Sequence, residues 1–153
     1  MKRSGFPFLK IYDLKTDEIE LRLDQTLEGD EEKGWAPSYK FTICSPKGVE
    51  MGACDLRVGY SETLYYAGNI GYSVREEFRG HHYAAKACIL LFELARRHGM
   101  KEVIITCNPD NIASAKTCEM VGGELIETAE LPMDNPMRVE DGETHKRIYR
   151  VRL

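Results

Sequence analysis

Gly71-Tyr72-Ser73-Val74-Arg75-Glu76-Glu77-Phe78-Arg79-Gly80-His81-His82-Tyr83-Ala84 is the stretch on which the reading of the fold turns. Its first four residues read as the end of a strand. Arg75 to His81 read as a short polar turn, and a long helix follows from about His82 to His98. A helix that opens directly after a turn leaves its first amides without partners inside the helix. Those amides, with the positive end of the helix dipole, suit the oxygens of a phosphate group. Arg79, Gly80, His81 and His82 stand where such a group would rest. The helix has a broad apolar face of Ala84, Ala87, Cys88, Leu91, Leu94 and Ala95. Lys86, Glu93 and Arg97 mark its wet edge, and Gly99 ends it.

The pattern extends outward in both directions. Downstream, Glu102 to Cys107 is a β-branched, buried type of strand, and Asn111 caps a second helix that stops at Gly122-Gly123. Glu124 to Leu131 is a strand, Pro132 to Glu143 a loop, and Arg147 to Leu153 the closing strand. Upstream, Leu9 to Leu14 and Ile19 to Leu23 alternate around the turn Lys15 to Glu18, which predicts a hairpin. An acidic loop, Glu28 to Pro37, leads to strands Tyr39 to Cys44 and Glu50 to Val58. Gly59 to Leu64 reads as a loop and Ala67 to Val74 as a strand with Gly68 and Gly71 inside it, a mark of bulges or close backbone approach. The strands on either side of the long helix should run parallel through a right-handed crossover. The expected fold is one α/β domain over residues 1–153, with a mixed, mostly antiparallel sheet and a central parallel pair.

A chain of 153 residues suits a single domain. Its formal net charge of −4 argues against a general nucleic-acid binder. The five cysteines are odd in number, lack Cys-x-x-Cys spacing and read as reduced core residues. No metal-ligand spacing stands out. Neither a signal peptide nor a run near the ~20 apolar residues of a membrane span is present, so the expected setting is cytoplasmic. Charge is uneven. Asp17 to Glu32 holds eight acids and one base, whereas Arg75 to Lys101 holds six bases and three acids. The acidic run reads as solvated surface, or else as a negative rim favouring a cationic substrate.

Arg79-Gly80-His81-His82-Tyr83-Ala84 resembles the pyrophosphate-binding segment of the GNAT superfamily of N-acetyltransferases, Arg/Gln-x-x-Gly-x-Gly/Ala between a strand and a helix. The first and last positions fit, and His82 stands where the family has glycine. Asn108-Pro109-Asp110-Asn111-Ile112-Ala113-Ser114 is similar to the family's Asn-x-x-Ala/Ser helix start, and Val121-Gly122-Gly123 falls where Gly-Phe is usual. Order and spacing agree over residues 40–153, while residues 1–39 match poorly. The resemblance implies acetyl-CoA as cosubstrate, lying where the parallel strands splay. Tyr72 and Val74 would hold it on an open strand edge, with Arg79, Gly80, His81, His82, Tyr83 and Ala84 at the helix start and Asn111 beyond. His82 either crowds the pyrophosphate or, protonated, pairs with it. The implied reaction moves an acetyl group to a primary amine, on a small molecule or a peptide, by direct attack in a ternary complex.

The catalytic groups are less plain. Many members carry a tyrosine on the second helix that protonates the leaving thiolate. Here Cys118 stands four residues past Ser114, either as a weak acid or as a plain buried side chain. The carboxylate often found on the strand before the turn is missing from Gly68 to Ser73, which leaves Asn69 or Ser73 to order a water that takes the amine proton. Tyr65, Tyr66 and Tyr72 are candidates for lining the acceptor pocket. These gaps keep two alternatives open: a CoA-binding sensor or interaction domain without catalysis, and a phosphate-binding regulatory domain unrelated to CoA. An exposed terminal strand is compatible with a homodimer.

Overall fold

The structure, a computed structural model, describes residues 5–153. Its first half is an antiparallel sheet of β1 (Glu20–Leu27), β2 (Ser38–Cys44), β3 (Glu50–Arg57) and β4 (Ile70–Val74), in that spatial order. A short helix, α1 (Glu62–Ala67), joins β3 to β4. The long helix α2 (Tyr83–Arg97) follows, then β5 (Glu102–Cys107), α3 (Ile112–Met120), β6 (Glu124–Glu130), α4 (Pro136–Asp141) and β7 (His145–Arg152). The last three strands form a second antiparallel sheet in the order β5-β7-β6. The expected mixed α/β fold is therefore present, built as two sheets.

β4 and β5, the strands flanking α2, share no ladder among the described residues. The expected parallel pair shrinks to one backbone hydrogen bond, from Asn69 N to Ile104 O at 2.7 Å. Asn69 is 1 % exposed, and its side chain completes the join. Its Nδ2 donates to the carbonyls of Arg57 and Gly59, both at 2.9 Å, and its Oδ1 accepts from Ile104 N at 2.8 Å. Gly68 makes the approach possible. Its φ is +86°, and a Cβ there would lie 3.3 Å from the Ile104 carbonyl and the Thr106 amide. A side chain would push the sheets apart and strain the backbone as well. Beyond this point no ladder joins the two strands among the described residues, which leaves an open seam, or gap, between their ends.

Both sheets contribute to one core. Tyr39, Phe41 and Ile43 of β2, Val103 and Ile105 of β5, and Tyr149 and Val151 of β7 are buried in it with Ala87, Cys88, Leu91, Leu94 and Ala95 of α2. All five cysteines are free and buried.

The structure departs from the sequence reading where short polar signals compete with alternation. Leu9 to Leu14 is not a strand. The turn expected at residues 15–18 does close, through Thr16 Oγ1 accepting from Glu18 N and Ile19 N, Leu21 N donating to Leu14 O, and a bridge between Lys15 and Glu20. The arm before it crosses to the end of α2, held by a two-pronged Arg97–Asp13 pair at 2.9 Å and by Phe8 edge-on to Tyr39 at 5.1 Å. Gly59 to Leu64, expected as loop, contains the start of α1, where Ser61 caps Leu64 N. The expected loop Pro132 to Glu143 contains α4, opened by an Asn135 cap with Pro136 in the first turn and closed by Gly142 at φ +71°.

The same arm carries a pH-sensitive contact. Tyr39 Oη accepts from Leu9 N at 2.8 Å and lies 2.6 Å from His98 Nε2, with the Phe6 ring 5.2 Å from that imidazole. When Nε2 is unprotonated, the phenol can donate its proton to it while accepting from Leu9. Burial lowers the His98 pKa from its ordinary 6.5. A depressed folded pKa stabilises the fold fully above the unfolded value, and that stability is lost as pH falls through the folded one. Melting temperature should therefore fall between about pH 7 and about pH 5 more steeply in the wild type than in His98→Gln. Parallel slopes in the two proteins would refute the assignment.

Candidate functional site

The gap is walled on one side by the free edge of β4. Arg57 N donates to Asn69 O at 2.7 Å and Arg75 N to Met51 O at 2.8 Å, and both pairs lie in the β3–β4 register. Hydrogen-bonded pairs alternate in an antiparallel ladder. Gly71 and Ser73 therefore bond to β3, while the amides and carbonyls of Ile70, Tyr72 and Val74 point away from it. The Val74 carbonyl receives Arg79 Nε at 3.1 Å. Tyr72 N–H and C=O and Val74 N–H remain as strand groups facing the gap, on the two residues that the resemblance selected.

The free edge leads to the start of α2. The turn between them carries a single 3-10 turn, Glu76–Phe78, and Gly80 at φ +93°. The first helical hydrogen bond at this end is Lys86 N to His82 O at 3.0 Å, so the amides of Tyr83, Ala84 and Ala85 have no acceptor inside the helix. His82 is the N-cap and makes no side-chain cap bond. It has φ 62° and ψ 28°, and among the described residues it alone combines a side chain with positive φ. This left-handed geometry explains why glycine suits the position: an L side chain there costs roughly 1–2 kcal/mol. The exposed imidazole of His82 stands outside the helix, and His81 packs its ring 5.3 Å from that of Tyr83. Lys86 bridges the His81 carbonyl at 3.2 Å and Glu18.

Across the gap lies α3. Asn111 caps it by accepting from Ser114 N at 3.1 Å, which occupies its Oδ1 as a plain N-cap would. One turn on, Ser114 Oγ lies 2.6 Å from Tyr72 Oη. Burial pushes the Tyr72 phenol well above its ordinary range, so it holds its proton. Sequence reasoning did not select Ser114. The hydroxyl pair depends on a long-range contact between β4 and α3, which no local pattern encodes.

The three catalytic candidates occupy separate surroundings. Asn69 is the clamp at the base of the gap, with its amide engaged on both sides, and it is not free to order water. Ser73 is exposed on the opposite face of the sheet from the Tyr72 side chain, beside Ala53 and Asp55. Cys118 is 0 % exposed. The Cys107 contact and burial hold its thiol well above the usual range, while that same contact and the charge of Arg147 lower Cys107. Tyr65 and Tyr66 pack edge-on at 5.3 Å, and the Tyr65 hydroxyl is bound by Glu127, which raises its pKa to about 12.

The charges are also more dispersed than the sequence suggests. Glu18 pairs with Lys86, Asp24 accepts from Thr42, Glu28 accepts from Phe6 N, and Asp30 caps the turn Glu31–Lys33. These acids make no single rim. Of the bases, Arg75 is paired with Glu50 at 3.2 Å, while Arg96 and Arg97 sit at the other end of α2, roughly 20 Å from its N-terminus. The groups near the start of α2 that could meet a phosphate are its unpaired backbone amides and Arg79. Among the described residues no group of three His, Cys, Asp or Glu could hold a metal ion, and no helix is long and apolar enough to cross a membrane.

Residues 6–124 match a family model described as "Acetyltransferase (GNAT) domain". The match starts well upstream of the region expected from the motifs and takes in the N-terminal arm. No curated protein matches the sequence. Among solved structures, a GNAT-family acetyltransferase from Bacillus anthracis aligns with TM-score 0.59 and 16 % identity, covering 74 % of this chain and 65 % of that one. The Microcin C7 self-immunity acetyltransferase MccE, in complex with acetyl-CoA and AMP, gives 0.58 and 19 %, covering 76 % and 61 %. A Salmonella typhimurium acetyl transferase that modifies the N-terminal serine of 50S ribosomal subunit protein L7/L12 gives 0.57 and 20 %, covering 80 % and 67 %. At these identities the likeness is one of fold, and this chain spans less than two thirds of the first two. With the open β4 edge, the unpaired amides of α2 and a family match over most of its length, the chain belongs to the GNAT acetyltransferase family.

Proposed function

We propose that this protein is an acetyl-CoA-dependent N-acetyltransferase that moves an acetyl group to a primary amine by direct attack in a ternary complex. The observation that carries this reading is the continuity of the free β4 edge with the unpaired amides at the start of α2. An extended amide-bearing arm pairs with Tyr72 and Val74 as an added strand, and its pyrophosphate meets the amides of Gly80 to Ala84. Acetyl-CoA supplies an activated thioester. The chain's own residues position it, and Val74 N–H polarises its carbonyl. Tyr72 donates to Ser114, and Ser114 hands a proton to the departing thiolate. The amine proton leaves through water. The acceptor is an amine on a small molecule or a peptide.

The saturated amide of Asn69 and the sealed thiol of Cys118 favour a second reading, a CoA-binding domain without catalysis. Two measurements separate the readings. Acetyl-CoA should raise the melting temperature by mass action, and a panel of primary amines should yield acetylated product. Stabilisation without turnover selects the second reading, and no stabilisation at millimolar acetyl-CoA rejects both.

His82→Gly should raise stability by about 1 kcal/mol, because it removes the left-handed strain, and should keep CoA affinity, because the contact is through the backbone. A large loss of affinity would show that the imidazole itself holds phosphate.

Ser114→Ala should lower kcat by roughly 100-fold, a barrier change of about 2.7 kcal/mol, with CoA affinity unchanged. Cys118→Ser should stay within about tenfold of the wild type. The reverse ranking would make Cys118 the proton donor.

A further inference from the structure

Strand β4 has no carboxylate of its own, yet the fold brings one to it from β3. Asp55 is the direct partner of Gly71 in the β3–β4 register. A Cβ on Gly71 would meet Asp55 Oδ1 at 2.6 Å, so Oδ1 lies within about 4 Å of the Gly71 Cα. Only glycine lets the carboxylate lean so far across β4. Its direction is fixed from the other side. Asp55 Oδ2 pairs with Arg57 Nε at 2.9 Å, and Arg57 Nη1 donates to the carbonyls of Ala67 at 3.1 Å and Gly68 at 3.0 Å. The Asp55 side chain is 15 % exposed, and it lines the groove of about 440 Å³ over the outer face of the first sheet.

Ser73 lines the same groove, one residue before the Val74 N–H that faces the gap. Gly71 and Ser73 are two residues apart on one strand, so they share a face at a spacing of about 6.6 Å. Ser73 is paired with Ala53, which makes Asp55 its diagonal neighbour across the ladder. With the carboxylate already over Gly71, roughly 5–6 Å separates Oδ1 from the Ser73 hydroxyl. One bridging water spans that distance with two hydrogen bonds of about 2.8 Å. The other charged groups around this spot are Lys40 of β2, directly across from Asp55, and Asp24 of β1, which accepts from Thr42.

We propose that Ser73 and Asp55 form the proton-accepting arm of the site. On the acetyltransferase reading, on which this assignment rests, the amine nitrogen bonds to the thioester carbonyl carbon beside the Val74 N–H. Ser73 Oγ takes the proton that this nitrogen sheds and gives its own to the bridging water, which passes one to Asp55 Oδ1. The C–S bond breaks as Ser114 protonates the thiolate. Asp55 then loses its proton to solvent through the groove, and the Tyr72–Ser114 pair regains one. The two paths lie on opposite faces of β4, Tyr72 and Ser114 inside and Ser73 and Asp55 outside, so the acid and the base do not neutralise each other. Ser73 touches the acceptor, and Asp55 acts through it.

The test is acetyl transfer by the full chain to benzylamine, putrescine, glycinamide and tetra-alanine, followed as CoA release. Stabilisation by acetyl-CoA is read in parallel as a shift of the melting temperature. With the amine that the wild type acetylates, Ser73→Ala and Asp55→Asn should each lower kcat by roughly 100-fold and keep the acetyl-CoA shift. The double variant should be no slower than the slower single one, because two parts of one relay are lost only once. Formate should restore part of the rate to Asp55→Ala and none to Ser73→Ala, which a merely structural Asp55 would not produce. Losses that multiply in the double variant, a wild-type rate in either single one, or no response of Asp55→Ala to formate overturns the proposal. If the Asp55 variants fail to fold, Ser73→Ala decides, since it changes an exposed side chain: a hundredfold loss upholds the relay and a wild-type rate sinks it. The underlying reading fails differently: the wild type then acetylates none of the four amines, and the relay falls with it.

Discussion

The join between the two sheets at Asn69 is the constraint on which the rest of this structure depends. Four strands and three strands meet there through one backbone hydrogen bond and one side-chain amide. A continuous β4–β5 ladder would close the gap, and with no link the two sheets would be free to shift. Asn69 fixes the base and lets the far ends part. Each of its partners, the carbonyls of Arg57 and Gly59 and the amide of Ile104, is a backbone group in a part-buried place. Losing the side chain would leave all three unpaired. The cleft thus follows from where the ladder stops, and a single buried asparagine sets that point.

Strain at His82 belongs to the same geometry. The chain must leave β4, turn, and aim the first amides of α2 back toward the β4 edge. That reversal needs positive φ at Gly80 and again at His82. Glycine pays nothing for the first. Histidine holds the second at a cost, and no cap bond from its side chain offsets it. Strain kept at the mouth of a proposed phosphate site is consistent with a backbone shape that serves binding ahead of stability.

Much of this was legible in the sequence because it was local. Alternation in Tyr39 to Cys44 gave β2, and the apolar face from Ala84 to Ala95 gave α2, since one residue's burial predicts its neighbours' at the period of the element. Gly68 was readable as a point of close approach. Other local signals were present and outweighed. Ser61-Glu62-Thr63-Leu64 is a helix start hidden by a glycine-containing, aromatic stretch, and Asn135-Pro136 with Gly142 delimits α4 inside what looked like loop. Leu9 to Leu14 failed for another reason. It alternates like a strand, but its Leu9 N–H goes to the Tyr39 hydroxyl and its Asp13 carboxylate to Arg97 at the end of α2, not to a neighbouring ladder. The site divides in the same way. Backbone contributions from Tyr72, Val74 and the α2 start follow from order and spacing. The Tyr72–Ser114 pair and the Asn69–Ile104 link arise between residues 35 or more apart in sequence, and no window of residues contains them.

Access to the gap follows from the outer face of the first sheet. Between β1 and β2 the chain makes only the three-residue turn Glu31–Lys33, with no helix to lie across the strands. The face itself is polar. Asp24 accepts from Thr42, and Arg57 Nε pairs with Asp55 at 2.9 Å. Gly71 lies directly beneath that pair, because a Cβ there would meet Asp55 Oδ1 at 2.6 Å and Arg57 at 2.9 Å. A face built from ion pairs and hydroxyls gains nothing from a covering layer, so its open state is its stable state. The groove over it, about 440 Å³, reaches Gly71, Tyr72 and Ser73 of the cleft strand. On the proposed function, an acceptor arriving from this side would meet no wall of helices to limit its size. Selection would then have to come from individual charged and hydrogen-bonding groups such as Asp55 and Arg57, not from the shape of an enclosed pocket.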